Sequence, residues 1–275
     1  MSIRITTLSE NSANLGVIAE WGLSILVEEN GVRILLDTSQ SMSVVHNAQL
    51  MGIDLSSIDK LVISHGHYDH TGGMKDVLAQ TGEIEVVAHP DMWGDKYAVY
   101  GEFQKYIGVP FERKELESLG ANFQLTKELS WITDNIVATG EIPMINDYEE
   151  IDAGMCIKTG DSFEPDPLLD DLALGIKTES GLIVILGCGH RGMINTTHHL
   201  QRITGEERVH SIIGGTHLIG ATPERLVRTV EDLKKIDVQK LGVSHCTGFT
   251  ASCRLASEFP DEFFMNNSGT VLDLP

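Results

Sequence analysis

Ser64-His65-Gly66-His67-Tyr68-Asp69-His70-Thr71-Gly72-Gly73 decides how this chain is read. The run Leu61-Val62-Ile63 before it has the β-branched character of a buried strand, and Met74 to Ala79 after it reads as a helix. Four potential ligands therefore sit between a strand end and a helix start. In an extended backbone the side chains at 65, 67 and 69 leave on one side, and the turn into the helix brings His70 round to join them. Three imidazoles and a carboxylate within six residues suit zinc, iron or manganese, whereas magnesium and calcium prefer all-oxygen shells. Gly66 and the Gly72-Gly73 pair let the backbone fold tightly round an ion. The plainer reading is a loop of surface histidines.

Upstream, Leu23 to Glu28 and Val32 to Asp37 flank Glu29-Asn30-Gly31, an Asn-Gly turn between two apolar runs and so a hairpin signal. Val44 to Met51 carries a helical pattern. Downstream, Leu172 to Lys177, then Glu179-Ser180-Gly181, then Leu182 to Cys188 repeat that hairpin, and Val238 to Gly248 echoes Ile58 to Gly73. Two such halves predict an α/β fold: a two-sheet sandwich with helices outside, whose matching strand ends meet at one rim. That expectation gathers His65, His67, Asp69, His70, Cys188, His190 and His245. Between the halves, residues 92–113 hold Trp93, Tyr97, Tyr100, Phe103, Tyr106 and Phe111 without clean periodicity, and read either as an aromatic lid or as a packed insertion. From Thr139 to Asp171 the chain is acidic and irregular, and it reads as surface. Thr222-Pro223 opens a helix with an N-cap and a proline at its first position.

His-x-His-x-Asp-His-Thr-Gly-Gly after an apolar strand resembles the signature of the metallo-β-lactamase-fold superfamily. Leu186-Gly187-Cys188-Gly189-His190-Arg191-Gly192, Gly214-Gly215-Thr216-His217-Leu218 and Val243-Ser244-His245-Cys246-Thr247-Gly248 resemble one branch of it. That branch contains 7,8-dihydropterin-6-methyl-4-(β-D-ribofuranosyl)aminobenzene-5′-phosphate synthases beside metal-dependent hydrolases. The resemblance runs from about Ile3 to the C-terminus and implies a single four-layer αββα metallo-β-lactamase-like domain over 1–275, built from two pseudo-repeated halves.

It also implies two divalent metal ions, zinc first, with iron or manganese as alternatives. His65 and His67 would hold one ion, Asp69 and His70 its neighbour, and His245 matches the last histidine of the pattern. Where the pattern has a bridging aspartate this chain has Cys188-Gly189-His190, and His190 ranks above Cys188 as the ligand. The histidine usually found between the cluster and that strand is missing; Thr139-Gly140-Glu141 stands there, so Glu141 is a candidate ligand, or His190 fills the vacancy. Asp69, His70 and Arg191 are the candidate catalytic residues, and His217 and Arg191 the candidate contacts to substrate phosphate. His89 reads as packing or as support behind a ligand, and His46, His198, His199 and His210 as helical or surface residues.

The activity implied is hydrolysis of a small phosphorylated substrate by a metal-bound hydroxide. The alternative within the same site is a pterin transferase that releases pyrophosphate, for which aromatic cover would exclude water. A flavodiiron-type oxidoreductase fits less well, since that pattern has Glu where His67 stands and carries a flavodoxin domain. The non-enzyme reading is a metal-binding sensor module.

With 275 residues and 41% hydrophobic content the chain can bury a full core. Forty acidic against twenty basic residues give a formal charge of −20, which repels a nucleic-acid backbone. No run of 18 apolar residues exists, Met1-Ser2-Ile3-Arg4 lacks a signal-peptide core, and the cysteines at 156, 188, 246 and 253 form no Cys-x-x-Cys pair. Those features predict a cytoplasmic protein without membrane or nucleic-acid partners; the oligomeric state is left open.

Overall fold

A computed structural model describes residues 3–274, and Met1 and Ser2, read above for a targeting signal, lie outside that range. The chain divides into two compact units. One comprises the residues up to Lys127, with Ile151–Asp170 and Asn267–Leu274; the other comprises Glu128–Glu150 and Asp171–Asn266.

The first unit is built on a seven-stranded sheet in the order Val271–Leu274, Ile3–Ser9, Ser24–Glu29, Val32–Leu36, Lys60–Val62, Ile84–Ala88, Ala121–Leu125. Its first four strands pair antiparallel and the remainder parallel. Asn30 and Gly31 both take positive φ, 49° and 90°, at the hairpin turn, which is why that pair stands there. Leu8, Leu26, Leu35, Leu61 and Val86 pack one sheet face against Val44 and Ala48 of the helix Ser43–Leu50 and Met74, Val77 and Leu78 of the helix Met74–Thr81. Alternate residues Ile5, Ile25, Val27, Ile34 and Leu36 are also buried, so both sheet faces are covered.

The second unit repeats this plan. Its sheet runs Phe263–Met265, Lys240–Ser244, Val209–Gly215, Gly181–Leu186, Ala173–Thr178, Ile136–Ala138, Ser130–Trp131. An antiparallel hairpin at 173–186 again leads into three parallel strands. Val184, Leu186, Ile212 and Leu241 pack on Ile194 and Leu200 of the helix Met193–Thr204, Leu233 of Pro223–Ile236 and Leu255 of Phe249–Glu258. Thr222 caps the second of these helices, its hydroxyl accepting from the Arg225 amide at 3.1 Å.

The pseudo-repeat is therefore present, with one strand reassigned. After each hairpin the first parallel strand is Lys60–Val62 in one unit and Val209–Gly215 in the other. The topological counterpart of the His65 loop is thus the Thr216-His217 turn, and Lys240–Ser244 with His245 corresponds to Ile84–Ala88 with His89. Adjacent parallel strands share one composition, so residue pattern alone does not order them.

Two further stretches gain a form in the structure, the first being 92–113, which the sequence leaves open between an aromatic lid and a packed insertion. Lys96–Tyr100 and Phe103–Tyr106 form a hairpin that pairs with Met155–Thr159 and Ser162–Pro165 in a four-stranded antiparallel sheet of the first unit. Tyr97 packs edge-on against Tyr106 and Phe163 there, at ring-centroid separations of 5.4 and 5.2 Å. The acidic stretch is likewise not all surface, because Glu149, Asp166, Asp170 and Asp171 are buried. Among the described residues no helix is long and apolar enough to cross a membrane.

Candidate metal centre

In the first unit the strand Lys60–Val62 delivers the chain into Ser64, and the short helix Tyr68–Thr71 carries Asp69 and His70. His65, His67, Asp69 and His70 are all buried. Gly66 is needed by packing: a Cβ there would lie 2.0 Å from the Met92 carbonyl oxygen. Gly72 and Gly73 meet the carbonyls of Gln40 and Thr38 just as closely.

Asp37 organises these candidate ligands. Its Oδ1 accepts the Ser64 amide at 2.7 Å and its Oδ2 the Ser64 hydroxyl at 2.7 Å, while His70 Nδ1 stands 2.6 Å from Oδ2. A Ser64 hydroxyl that donates to Asp37 can only accept from His65 Nδ1, 2.9 Å away. Both His65 and His70 are thereby fixed as Nδ1–H tautomers, each with its Nε2 as a lone pair. Burial also holds the His67 imidazole down to a pKa of about 3, keeping it neutral.

His65 Nε2 and His67 Nδ1 approach to 2.9 Å. With His65 Nε2 as the acceptor, a neutral His67 donates its Nδ1–H across this gap, and a metal ion can take the place of that proton. Two ligands of a tetrahedral zinc stand about 3.3 Å apart at ordinary Zn–N lengths, so this pair fits a metal with little movement. Asp69 Oδ2 accepts from the Trp21 indole at 2.8 Å, and the Gly66 amide donates to Asp170 Oδ2 at 2.8 Å.

In the second unit Cys188 and His190 lie on the turn after Gly181–Leu186, His217 follows Val209–Gly215 and His245 follows Lys240–Ser244. Ligand atoms of Cys188, His190 and His217 lie within 4.8 Å of one another, as do those of Cys188, His245 and Cys246. The rings of His190 and His217 are 4.1 Å apart between centroids. Cys246 ties the turns together: its thiol donates to the Cys188 carbonyl and accepts the His217 amide, each at 3.3 Å. Soft sulfur beside imidazole is a donor set suited to zinc.

Arg191 is held at both ends. Its amide donates to Asp171 Oδ2 at 2.8 Å and its Nε to the Ile142 carbonyl at 2.5 Å, and burial lowers its pKa. The helix that follows starts at Gly192 without a side-chain cap of its own. Glu149 supplies one, accepting the Ile194 and Asn195 amides at 2.9 and 2.8 Å. Glu141 is half-buried within electrostatic reach of Arg191, and neither cluster of the second unit includes it. His89 accepts the Asp91 amide at 3.1 Å, in keeping with a packing role. His198 pairs with Gln201, His199 with the Thr139 carbonyl and His210 with Ser211, each away from the clusters named above.

Asp37, Trp21, Asp170, Asp171, Glu149 and Cys246 were not singled out from sequence. Asp37 alone carried a signal, as an acidic residue at a strand end next to a ligand-bearing strand.

The sequence profile of the metallo-beta-lactamase superfamily matches residues 22–193. The 7,8-dihydropterin-6-methyl-4-(beta-D-ribofuranosyl)-aminobenzene-5′-phosphate synthase of Methanocaldococcus jannaschii is 34% identical over 283 aligned residues, covering 98% of this chain and 96% of its own. A solved structure described as a metal-dependent hydrolase of the beta-lactamase superfamily superposes with a TM-score of 0.86 over 99% of both chains, at 27% identity. A diphosphatase of the PhnP family superposes at a TM-score of 0.55 and 14% identity, over 100% of this chain and 98% of its own, a likeness of fold alone.

Proposed function

The chain belongs to the metallo-beta-lactamase superfamily, and from that premise we propose that it is a metal-dependent hydrolase of a small phosphorylated substrate. The observation that carries the proposal is the buried, neutral pair His65 and His67 with ring nitrogens 2.9 Å apart. In this reading His65 and His67 would hold one zinc ion and Asp69 and His70 a second, while His190 and His245 are the candidate imidazole donors of the second unit. Cys188 is the further donor where the pattern expects a bridging carboxylate, and the half-buried Glu141 is the weaker candidate.

Metal bound there supplies Lewis acidity toward a phosphoryl oxygen and the field that makes water a nucleophile near neutral pH. The chain's own groups do the rest. Asp69, held by the Trp21 indole, would orient the attacking water, and the Asp37 carboxylate keeps His70 in the ligating tautomer. Arg191 and His217 are proposed to meet substrate phosphate, Arg191 with the part of its guanidinium beyond the Nε bound to Ile142. The charge of −20 argues against nucleic acid as substrate. Four cysteines without a Cys-x-x-Cys pair suit a reducing cytoplasm. We take the two units as one functional domain, with 92–113 as its aromatic cover.

The 34% identity to a pterin-transferring synthase favours a second reading, in which the same residues serve displacement of pyrophosphate from an activated dihydropterin. Zinc-loaded protein incubated with dihydropterin diphosphate and the aminobenzene riboside phosphate, together and singly, separates the two. Phosphate released from a single substrate supports the hydrolase. Pyrophosphate released only when both are present replaces that reading with the transferase.

A further inference from the structure

Lys96 is fully buried in the first unit, where its ammonium lies 2.7 Å from Asp166 Oδ2 and 2.9 Å from Asp170 Oδ1. Both carboxylates are buried as well. A buried ion pair contributes little net stability against an apolar replacement of the same shape, so three buried charges invite a reason other than stability.

The free geometry of each carboxylate suggests that reason. Asp166 uses its second oxygen on the Leu168 amide at 2.8 Å, within its own loop. Asp170 uses its second oxygen on the amide of Gly66, the residue between His65 and His67. Gly66 is pressed on its other side by the Met92 backbone. The peptide joining the two candidate ligands is thus clamped between a carbonyl wall and a charged acceptor. Lys96 in turn prevents that acceptor from rotating, because it binds Asp170 Oδ1.

We infer that Asp170, locked by Lys96, is a positioning residue that sets the spacing of the His65 and His67 nitrogens for metal; this rests on the metal reading above. An amide-to-carboxylate bond is roughly twice as strong as a neutral one and fixes direction as well as distance.

The test uses the full-length, metal-stripped chain and zinc competition against a chromogenic chelator, with the thermal midpoint of the metal-free form measured in parallel. Asp170→Ala should weaken zinc binding by about 10- to 100-fold, the range for loss of an outer-shell partner, while Asp170→Asn, which keeps an acceptor for Gly66, stays within about threefold of wild type. Zinc bound as tightly by folded Asp170→Ala as by wild type overturns the role, even if its thermal midpoint falls. Wild type that binds no zinc overturns the metal reading and this role together. Should Asp170→Ala fail to fold, hydrogen exchange at the Gly66 amide of wild type decides: protection supports the clamp, and exchange at the rate of an open loop removes it.

Discussion

Asp37 Oδ2 stands 2.6 Å from His70 Nδ1, and the same carboxylate accepts both the amide and the hydroxyl of Ser64. One side chain from the end of a hairpin strand therefore fixes the tautomers of His70 and, through Ser64, of His65. Asp37 itself sits at φ 62°, a left-handed conformation that Asn and Asp tolerate better than other side chains.

Asp37→Asn keeps that backbone and much of the shape but replaces an acceptor with an amide. Zinc affinity should fall about 10- to 100-fold, as for other outer-shell substitutions. Asp37→Ala should in addition destabilise the metal-free protein by about 2–4 kcal/mol, through buried donors left without an acceptor. Chelator competition and urea denaturation of the two variants check these values.

Trp21→Phe removes the indole donor to Asp69 Oδ2 and leaves the ring. The site is partly exposed, with Trp21 at 43% of its free surface, so the loss should be modest, about 1 kcal/mol or roughly fivefold in kcat/KM. Zinc stoichiometry should not change, since the carboxylate itself stays. A variant that loses zinc would show the indole to be holding the loop rather than orienting Asp69.

Burial alone would raise Asp170, and Lys96 with the Gly66 amide outweighs it, so the carboxyl lies below its ordinary range; burial would lower Lys96, and Asp170 and Asp166 raise it instead. A depressed acid contributes stability above its unfolded value and loses it as pH falls. A raised lysine contributes below its unfolded value and loses it as pH rises. The cluster thus stabilises the fold between about pH 4 and about pH 10. In Lys96→Met the Asp170 carboxyl loses the cation that outweighs its burial, and its pKa rises above that of the unfolded chain. The folded variant then binds more protons, so its stability should increase as pH falls from 8 toward 5, the reverse of an ordinary acid limb. At pH 7 it should be about 3–5 kcal/mol less stable than wild type. Denaturation midpoints measured at several pH values test the sign as well as the size.

His67 is held at a pKa of about 3 by burial, with Asp69 acting in the other direction. Its folded value lies below the unfolded one, so the unfolded chain takes up the proton first. Metal-free protein should lose stability as pH drops from about 6.5 toward 3, by up to about 1.4 kcal/mol per pH unit. The ring resonances of His67 should stay at their neutral positions down to pH 5. A titration midpoint near 6.5 in the folded protein contradicts this.

Glu149 reaches from the acidic stretch to cap the helix that begins beyond His190. Glu149→Ala should cost about 2 kcal/mol, the upper range for losing a helix N-cap. The effect should be confined to stability, with zinc affinity changed far less than in the Asp37 variants.

The sequence by itself determined the candidate ligand loop and both hairpins. These are local matters: a strand period, an Asn-Gly turn and histidines spaced along one strand end are each legible within about a dozen residues. It did not determine which parallel strand is which, because Lys60–Val62, Ile84–Ala88 and Lys240–Ser244 are interchangeable as apolar runs until a sheet orders them. Nor did it show that Glu149, Asp166, Asp170 and Asp171 leave an acidic stretch for the interior. A carboxylate reads as surface until tertiary packing brings it an ammonium or a row of backbone amides, and that packing alone offsets the loss of water around the charge. The candidate ligands were thus written in the chain, and the buried carboxylates bonded to their loop, Asp37 and Asp170 foremost, were decided by the fold.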